Sequence, residues 1–257
     1  MKSHSSIDIY CVFVYIDQRA EELFTARYQS YFKKIVTINI QDAIYQKSFF
    51  EFSGFQAGLD LIIGNDRKHT KKIIFVNDTF INGHLTYAST TVVMNVMRIL
   101  RRENDNCLVG LCKQNLLVSS EFYVSTWCFG ICISDCDAKS FDFLCGFRSQ
   151  DELLKSIMLV DGDFREKVMT WLNPSSILRG WHNAPYFQKL ERDKVDRKLI
   201  SIFLENCIPI HNEPIAGALL RVTMTKHYIH DLNIKSALLL DRCYINYKKL
   251  LKRLLKL

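Results

Sequence analysis

Apolar residues in the first half of the chain fall in short blocks, and amphipathic stretches separate them. IDIYCVFVYI (7–16) is a nearly unbroken apolar block rich in β-branched and aromatic residues, which predicts a strand. DQRAEELFTARYQSYFK (17–33) then has helical composition. KIVTINI (34–40) alternates Ile35, Thr37 and Asn39 with Val36, Ile38 and Ile40, the period of a strand at an edge or with one solvated face. QAGLDLIIGND (56–66) predicts a helix with Ala57, Leu61 and Ile62 on one side. KKIIFVND (71–78) places Ile73, Ile74, Phe75 and Val76 in a run suited to a strand buried on both faces.

This β–α–β–α–β order predicts an α/β fold with a parallel sheet and crossover helices. YASTTVVMNVMRILRREND (87–105) continues it as a helix, with Val92, Val93, Val96, Ile99 and Leu100 opposite Arg98, Arg101 and Arg102. CLVGLCKQ (107–114) and FYVSTWCFGICIS (122–134) read as strands, the second interrupted by a turn around Trp127. From residue 139 onward helical patterns dominate, in KSFDFLCGF, DELLKSIMLVDGDFREKVMTWL and FQKLERDKVDRKLISIFLENC. The expected organisation is an α/β half over 1–138, a mostly helical region over 139–245, and a terminal basic helix over 246–257.

Composition changes this picture little. The chain has 257 residues, 48% hydrophobic and 24% charged, with 10 glycines and 4 prolines, and shows no linker or repeat. No apolar stretch reaches the ~20 residues that span a bilayer. The first apolar block has no small-residue cleavage site and is bounded by Asp8 and Asp17, so it reads as a strand rather than a leader. The nine cysteines are therefore expected as free thiols in a reducing cytosol. Cys128, Cys132 and Cys136 recur every four residues, which fits neither paired zinc spacing nor an iron–sulfur run, so they read as buried apolar thiols.

The net charge of +7 changes more, because it is concentrated. NYKKLLKRLLKL (246–257) holds Lys248, Lys249, Lys252, Arg253 and Lys256 and no acid, while Tyr247, Leu250, Leu251, Leu254 and Leu255 form an apolar stripe. Such a helix suits the headgroup layer of an anionic membrane; packing on the protein's own core is the alternative. Nucleic acid is not expected, since no recognition motif accompanies the charge.

Candidate chemistry centres on the end of the third strand. Asn77 and Asp78 follow the buried run directly, and open α/β sheets place ligands at the carboxyl ends of their strands. A plain turn is the competing reading, since Asn and Asp favour turns. Upstream, Ser53 and Gly54 in FEFSGFQAGLDLII predict a tight turn opening a helix near Gln56, where backbone N–H groups approach a phosphate. Neither GxGxxG nor a Walker loop is present.

This order of Gly-bearing loop, helix, lysine-flanked strand and Asn-Asp resembles the donor half of GT-A-type glycosyltransferases. KIIFVNDTFINGHL with the later STWCFGICIS is similar to bacterial transferases of surface-polysaccharide loci, including those akin to rhamnan-synthesis proteins. The resemblance spans roughly residues 7–190 and implies a GT-A-like, Rossmann-type mixed sheet flanked by helices, with a helical C-terminal region. It implies transfer of a sugar from a nucleotide-sugar donor to a bacterial surface-glycan acceptor, lipid-linked or free, on the cytoplasmic face of the membrane. Ser53, Gly54, Asn77 and Asp78 would then line the donor site.

The usual acidic motif is Asp-x-Asp, whereas this chain has one carboxylate at Asn77-Asp78-Thr79. Asp78 would hold Mg²⁺ or Mn²⁺ with phosphate oxygens and water, or transfer would proceed without metal, with cations offsetting the departing charge. Asp135 is the candidate base, with Asp137 as a helix cap. Trp127, Trp181 and His182 are candidates for the acceptor side, the last two within the ordered-loop composition of WLNPSSILRGWHNAPYF (171–187). A non-catalytic, membrane-docking partner in a polysaccharide assembly complex is the alternative from another functional class.

Overall fold

The computed structural model describes residues 8–41, 49–65, 70–78, 87–118, 122–160, 164–168 and 192–212. Five strands form one sheet: β1 (Ile9–Tyr15), β2 (Lys34–Asn39), β3 (Thr70–Asn77), β4 (Cys107–Gln114) and β5 (Phe122–Ser134). Their spatial order is β2-β1-β3-β5-β4. β1 pairs in parallel with both β2 and β3, while β5 is antiparallel to β3 and to β4, so the sheet is mixed. β2 lies at the edge, as its alternation predicts, and exposes Lys34 and Thr37 while burying Val36 and Ile38. β1 and β3 are central, which is why their sequences are apolar on both faces.

Helices cover both faces. α1 (Gln18–Tyr28) is opened by Asp17, whose side chain accepts from the N–H of Arg19 at 3.0 Å, and it stacks Phe24 on Phe13 with ring centroids 4.2 Å apart. α3 (Tyr87–Arg102) packs on the same face, where a Cβ at Gly130 would come within 2.6 Å of Leu100. On the other face lies α2 (Glu51–Asn65), pressed so close that a Cβ at Gly58 would lie 2.3 Å from Val12 Cγ1. Phe55 of α2 meets Phe75 and Phe129, each at 5.5 Å, and Phe143 at 5.8 Å, which forms the centre of an aromatic core.

The residues after 138 depart from the expected run of helices. α4 (Asp135–Ala138) is a single turn, and KSFDFLCGF forms turns rather than a helix. The N-cap of α4 is Ser134, whose Oγ accepts from the N–H of Asp137, while the Asp137 carboxylate accepts from Ser134 Oγ at 2.6 Å and from Asn106 at 2.5 Å. Asp137 thus braces the capping hydroxyl of Ser134 instead of capping the helix itself, while the Ser134 N–H donates to Asn106 Oδ1 at 2.9 Å. α5 (Gln150–Leu159) ends well before residue 172, and a separate helical segment occupies 164–168. α6 (Arg192–His211) crosses β5 and packs on α5. Phe143 and the α6 residues Leu199 to Leu204 share one hydrophobic cluster with the sheet, so the change of pattern near 138 is not a break in the core.

Among the described residues, no helix is long and apolar enough to cross a membrane. The basic segment 246–257 lies outside the described residues.

Candidate functional site at the carboxyl edge of the sheet

β1 leads through α1 to β2 on one side, and the chain then passes over α2 to β3 on the other side. The strand order therefore reverses between β1 and β3, with α1 and α3 on one face of the sheet and α2 on the other. Ligands of open α/β sheets bind outside the carboxyl ends at such a switch point. Here those ends carry Ile16 and Asp78. The Asp78 carboxylate is half-buried, and its Oδ2 accepts from the Ile16 backbone N–H at 3.1 Å. Asn77, the last residue of β3, is 8% exposed, and its Oδ1 has no hydrogen-bond partner among the described residues. An orphaned buried carbonyl costs about 1–3 kcal/mol, so a ligand or water donor at Asn77 is favoured.

Ser53 and Gly54 do not form the expected turn. Both lie within the first turn of α2, which begins five residues before Gln56, at Glu51. Ser53 is buried, and its Oγ accepts from the N–H of Phe49 at 3.0 Å, closing the start of the helix. A Cβ at Gly54 would lie 2.8 Å from Val14 Cγ1 and 3.1 Å from Ile40 Cγ2. The glycine is needed for close helix–sheet packing, and the Ser-Gly pair forms no phosphate cradle. The first turn of α2 also carries its own carboxylate, Glu51, which accepts from Ser201 Oγ of α6 at 3.0 Å. Burial pushes the Glu51 carboxyl upward, and a backbone hydrogen bond, the Lys198 ammonium and the Ser201 hydroxyl offset only part of this. Phe50, just before it, has φ 54°, a left-handed backbone that bulky residues rarely adopt, and the Arg197 guanidinium stacks over its ring at 5.4 Å.

Asp135 is misplaced for the role expected of it. β5 runs antiparallel to β3 and pairs Ser134 with Thr70, so Asp135 follows at the amino edge of β3. With about 3.3 Å per residue, the length of β3 separates it from Asp78 by roughly 25 Å. The two cannot serve one reacting centre.

Trp127 lies at the carboxyl edge of β3. The β3–β5 register ends with Val76 opposite Cys128, so Trp127 follows beside Asn77. The expected interruption of this strand is a β-bulge: Gly110 pairs with Phe129, but Cys112 pairs with Val124. Glu205 of α6 holds the bulge, accepting from the Thr126 N–H at 3.2 Å and from Thr126 Oγ1 at 2.5 Å. Trp127 is half-buried and packs against the core, which anchors it beside the edge. Trp181 and His182 lie outside the described residues.

A crevice between the sheet and α6, lined by Leu108, Val124, Thr126, Phe129, Glu205 and Ile208, has room for no more than about one water molecule. Among the described residues, no three of His, Cys, Asp and Glu come together as a metal-binding group. Asp78 offers a single carboxylate, and a divalent ion there would take its other ligands from phosphate oxygens and water.

Sequence reasoning did not find Glu51, Ser201, Thr126 or Glu205. The pairs are joined across 150 and 79 residues, and no local spacing marks them. No protein-family profile, curated protein or solved structure matches the chain.

Proposed function

We propose that the chain is a nucleotide-sugar-dependent glycosyltransferase of GT-A-like fold that extends a bacterial surface glycan. The observation that carries this reading is Asp78, a half-buried carboxylate fixed to Ile16 at the β1/β3 switch point. The resemblance of KIIFVNDTFINGHL to surface-polysaccharide transferases supplies the substrate class.

Three helices begin at this edge, and their first turns favour one position for the diphosphate. α1 and α2 open on their own acids, Asp17 and Glu51, which repel an anion, whereas the first turn of α3 contains no acidic residue. The diphosphate accordingly sits toward the start of α3, after the segment 79–86, with Asp78 beside it. Mg²⁺ or Mn²⁺ held by Asp78 would neutralise the leaving diphosphate. Trp127 offers a ring face to the acceptor, and Asp135, at the opposite edge, has no part in this reading. The segment 246–257 brings the enzyme to an anionic membrane that presents the acceptor.

A thermal-shift screen with UDP-, GDP-, CDP- and dTDP-sugars, with and without Mn²⁺, tests the proposal. At least one donor is expected to raise the melting temperature of the wild type, and Asp78→Asn, which keeps an oxygen for Ile16, is expected to lose the shift. No response to any donor would overturn the enzymatic reading. An unchanged response in Asp78→Asn would remove Asp78 from the site.

A further inference from the structure

We propose that Cys107 and Cys132 form an oxidisable dithiol site that closes to a cross-strand disulfide on reaction with a disulfide-class oxidant such as oxidised glutathione. The two residues are direct partners in the antiparallel β4–β5 ladder. Such partners stand about 4.5 or 5.5 Å apart at Cα. Both distances fall within the roughly 4.4–6.8 Å that a disulfide spans. The opposed position also turns both side chains to the same face of the sheet, so closure needs no change of register.

Charge selects which sulfur reacts first. Lys72 of β3 is the register partner of Cys132 on its other flank, so Lys72, Cys132 and Cys107 form a row across three strands. The Cys132 thiol is held below its ordinary range, first by a hydrogen bond from Cys107 and then by the Lys72 ammonium. Cys107 is pushed up by that hydrogen bond and by burial. Cys11, Cys128 and Cys145 are also pushed up by burial, and Cys207 to about 12, and none of these has a cysteine as its register partner.

The chemistry balances. The Cys132 thiolate attacks one sulfur of the oxidant and expels a thiolate, which takes up the proton that Cys132 released. Cys107 then gives up its proton, attacks Cys132 Sγ and expels the second thiolate, which is protonated in turn. Two protein thiols are oxidised, and one small disulfide is reduced to two thiols. Both sulfurs are buried beneath the short connection from α3 to β4, where Asn104 and Asp105 are exposed and the Glu103 carbonyl accepts from Cys132 Sγ at 3.7 Å. Local opening of that connection admits the oxidant.

The test treats the full native chain with oxidised glutathione, quenches by alkylation under denaturing conditions, counts remaining thiols and maps linkages by proteolysis and fragmentation. The expected result is loss of two of the nine thiols, a Cys107–Cys132 linkage as the dominant product, and recovery of both thiols with dithiothreitol. Cys107→Ser should instead accumulate a glutathione adduct on Cys132. Retention of all nine thiols, a dominant linkage elsewhere such as Cys145–Cys207, or a Cys107–Cys132 linkage that forms only in guanidinium would each overturn the proposal. The wild-type map decides even where the variant fails to fold.

Discussion

The Asp78 carboxylate accepts the Ile16 backbone N–H at 3.1 Å across 62 residues of sequence, fastening the carboxyl ends of two adjacent parallel strands. The bond satisfies a donor that the β1 ladder leaves free, and it sets the orientation of the carboxylate before any ligand arrives. Asp78→Ala removes the acceptor and leaves Ile16 N–H to water, at a cost of about 1 kcal/mol. Asp78→Asn keeps the bond and loses only the charge. Urea denaturation should therefore separate the two variants, with Asp78→Asn close to the wild type. Equal destabilisation of both would show that the charge, and not the clasp, holds the edge.

Gly58 makes a sharper packing prediction. Alanine is favoured over glycine by about 1 kcal/mol in a helix interior. Here the added methyl would lie 2.3 Å from Val12 Cγ1, on a central strand that cannot retreat. Overpacking wins, and Gly58→Ala should destabilise by about 1–3 kcal/mol in chemical denaturation. The clash is with one side chain, so a cycle with Val12→Ala resolves it: Gly58→Ala should be neutral or stabilising in the Val12→Ala background.

The sequence periodicities located the five strands and the three crossover helices, because strand burial on one or both faces is written locally in the pattern. The same pattern placed Asp78 at a strand end, and the strand order then put it at the switch point. Direction was not legible. β5 looks alike whichever way it runs, and its antiparallel course carries Asp135 to the amino edge of β3. Ser53-Gly54 misled for a different reason. Ser and Gly signal turns in general, yet this glycine answers to Val14, 40 positions away in sequence and 2.8 Å away from its Cβ position. Contacts such as Glu51 with Ser201 depend on the final docking of α6, which no local window contains.

Glu205 illustrates what that docking does. Its carboxylate takes the hydroxyl of Thr126 together with the backbone N–H that the β5 bulge withdraws from the ladder. Glu205→Ala strands both donors and should cost about 2 kcal/mol, whereas Glu205→Gln keeps an acceptor and should cost less. Trp127 follows Thr126 in the same bulge. Tryptophan emission in the Ala variant should therefore move to the red at denaturant concentrations where far-ultraviolet circular dichroism is unchanged. Emission that moves only with global unfolding would show that Glu205 does not hold the bulge.

Two carboxyls at helix starts should give opposite pH signatures. Asp137 is held below the usual carboxylate range by hydrogen bonds from Ser134 and then Asn106. Its contribution is present above its unfolded value and is lost as pH falls through the folded one, so the stability gap between the wild type and Asp137→Asn should close on acidification. Glu51 is shifted upward, chiefly by burial. Between its unfolded and folded values the native state keeps a proton that the unfolded chain has released, so wild-type stability falls as pH rises through that window. Glu51→Gln keeps an oxygen for Ser201 and has no proton to lose. Relative to the wild type it should therefore gain stability with rising pH and level off once Glu51 is ionised in both states. Urea midpoints should diverge from the wild type for Glu51→Gln as pH rises above the ordinary glutamate range, and converge with it for Asp137→Asn as pH falls below the ordinary aspartate range. A Glu51→Gln difference that stays flat with pH would mean that its carboxyl remains solvated beside α6.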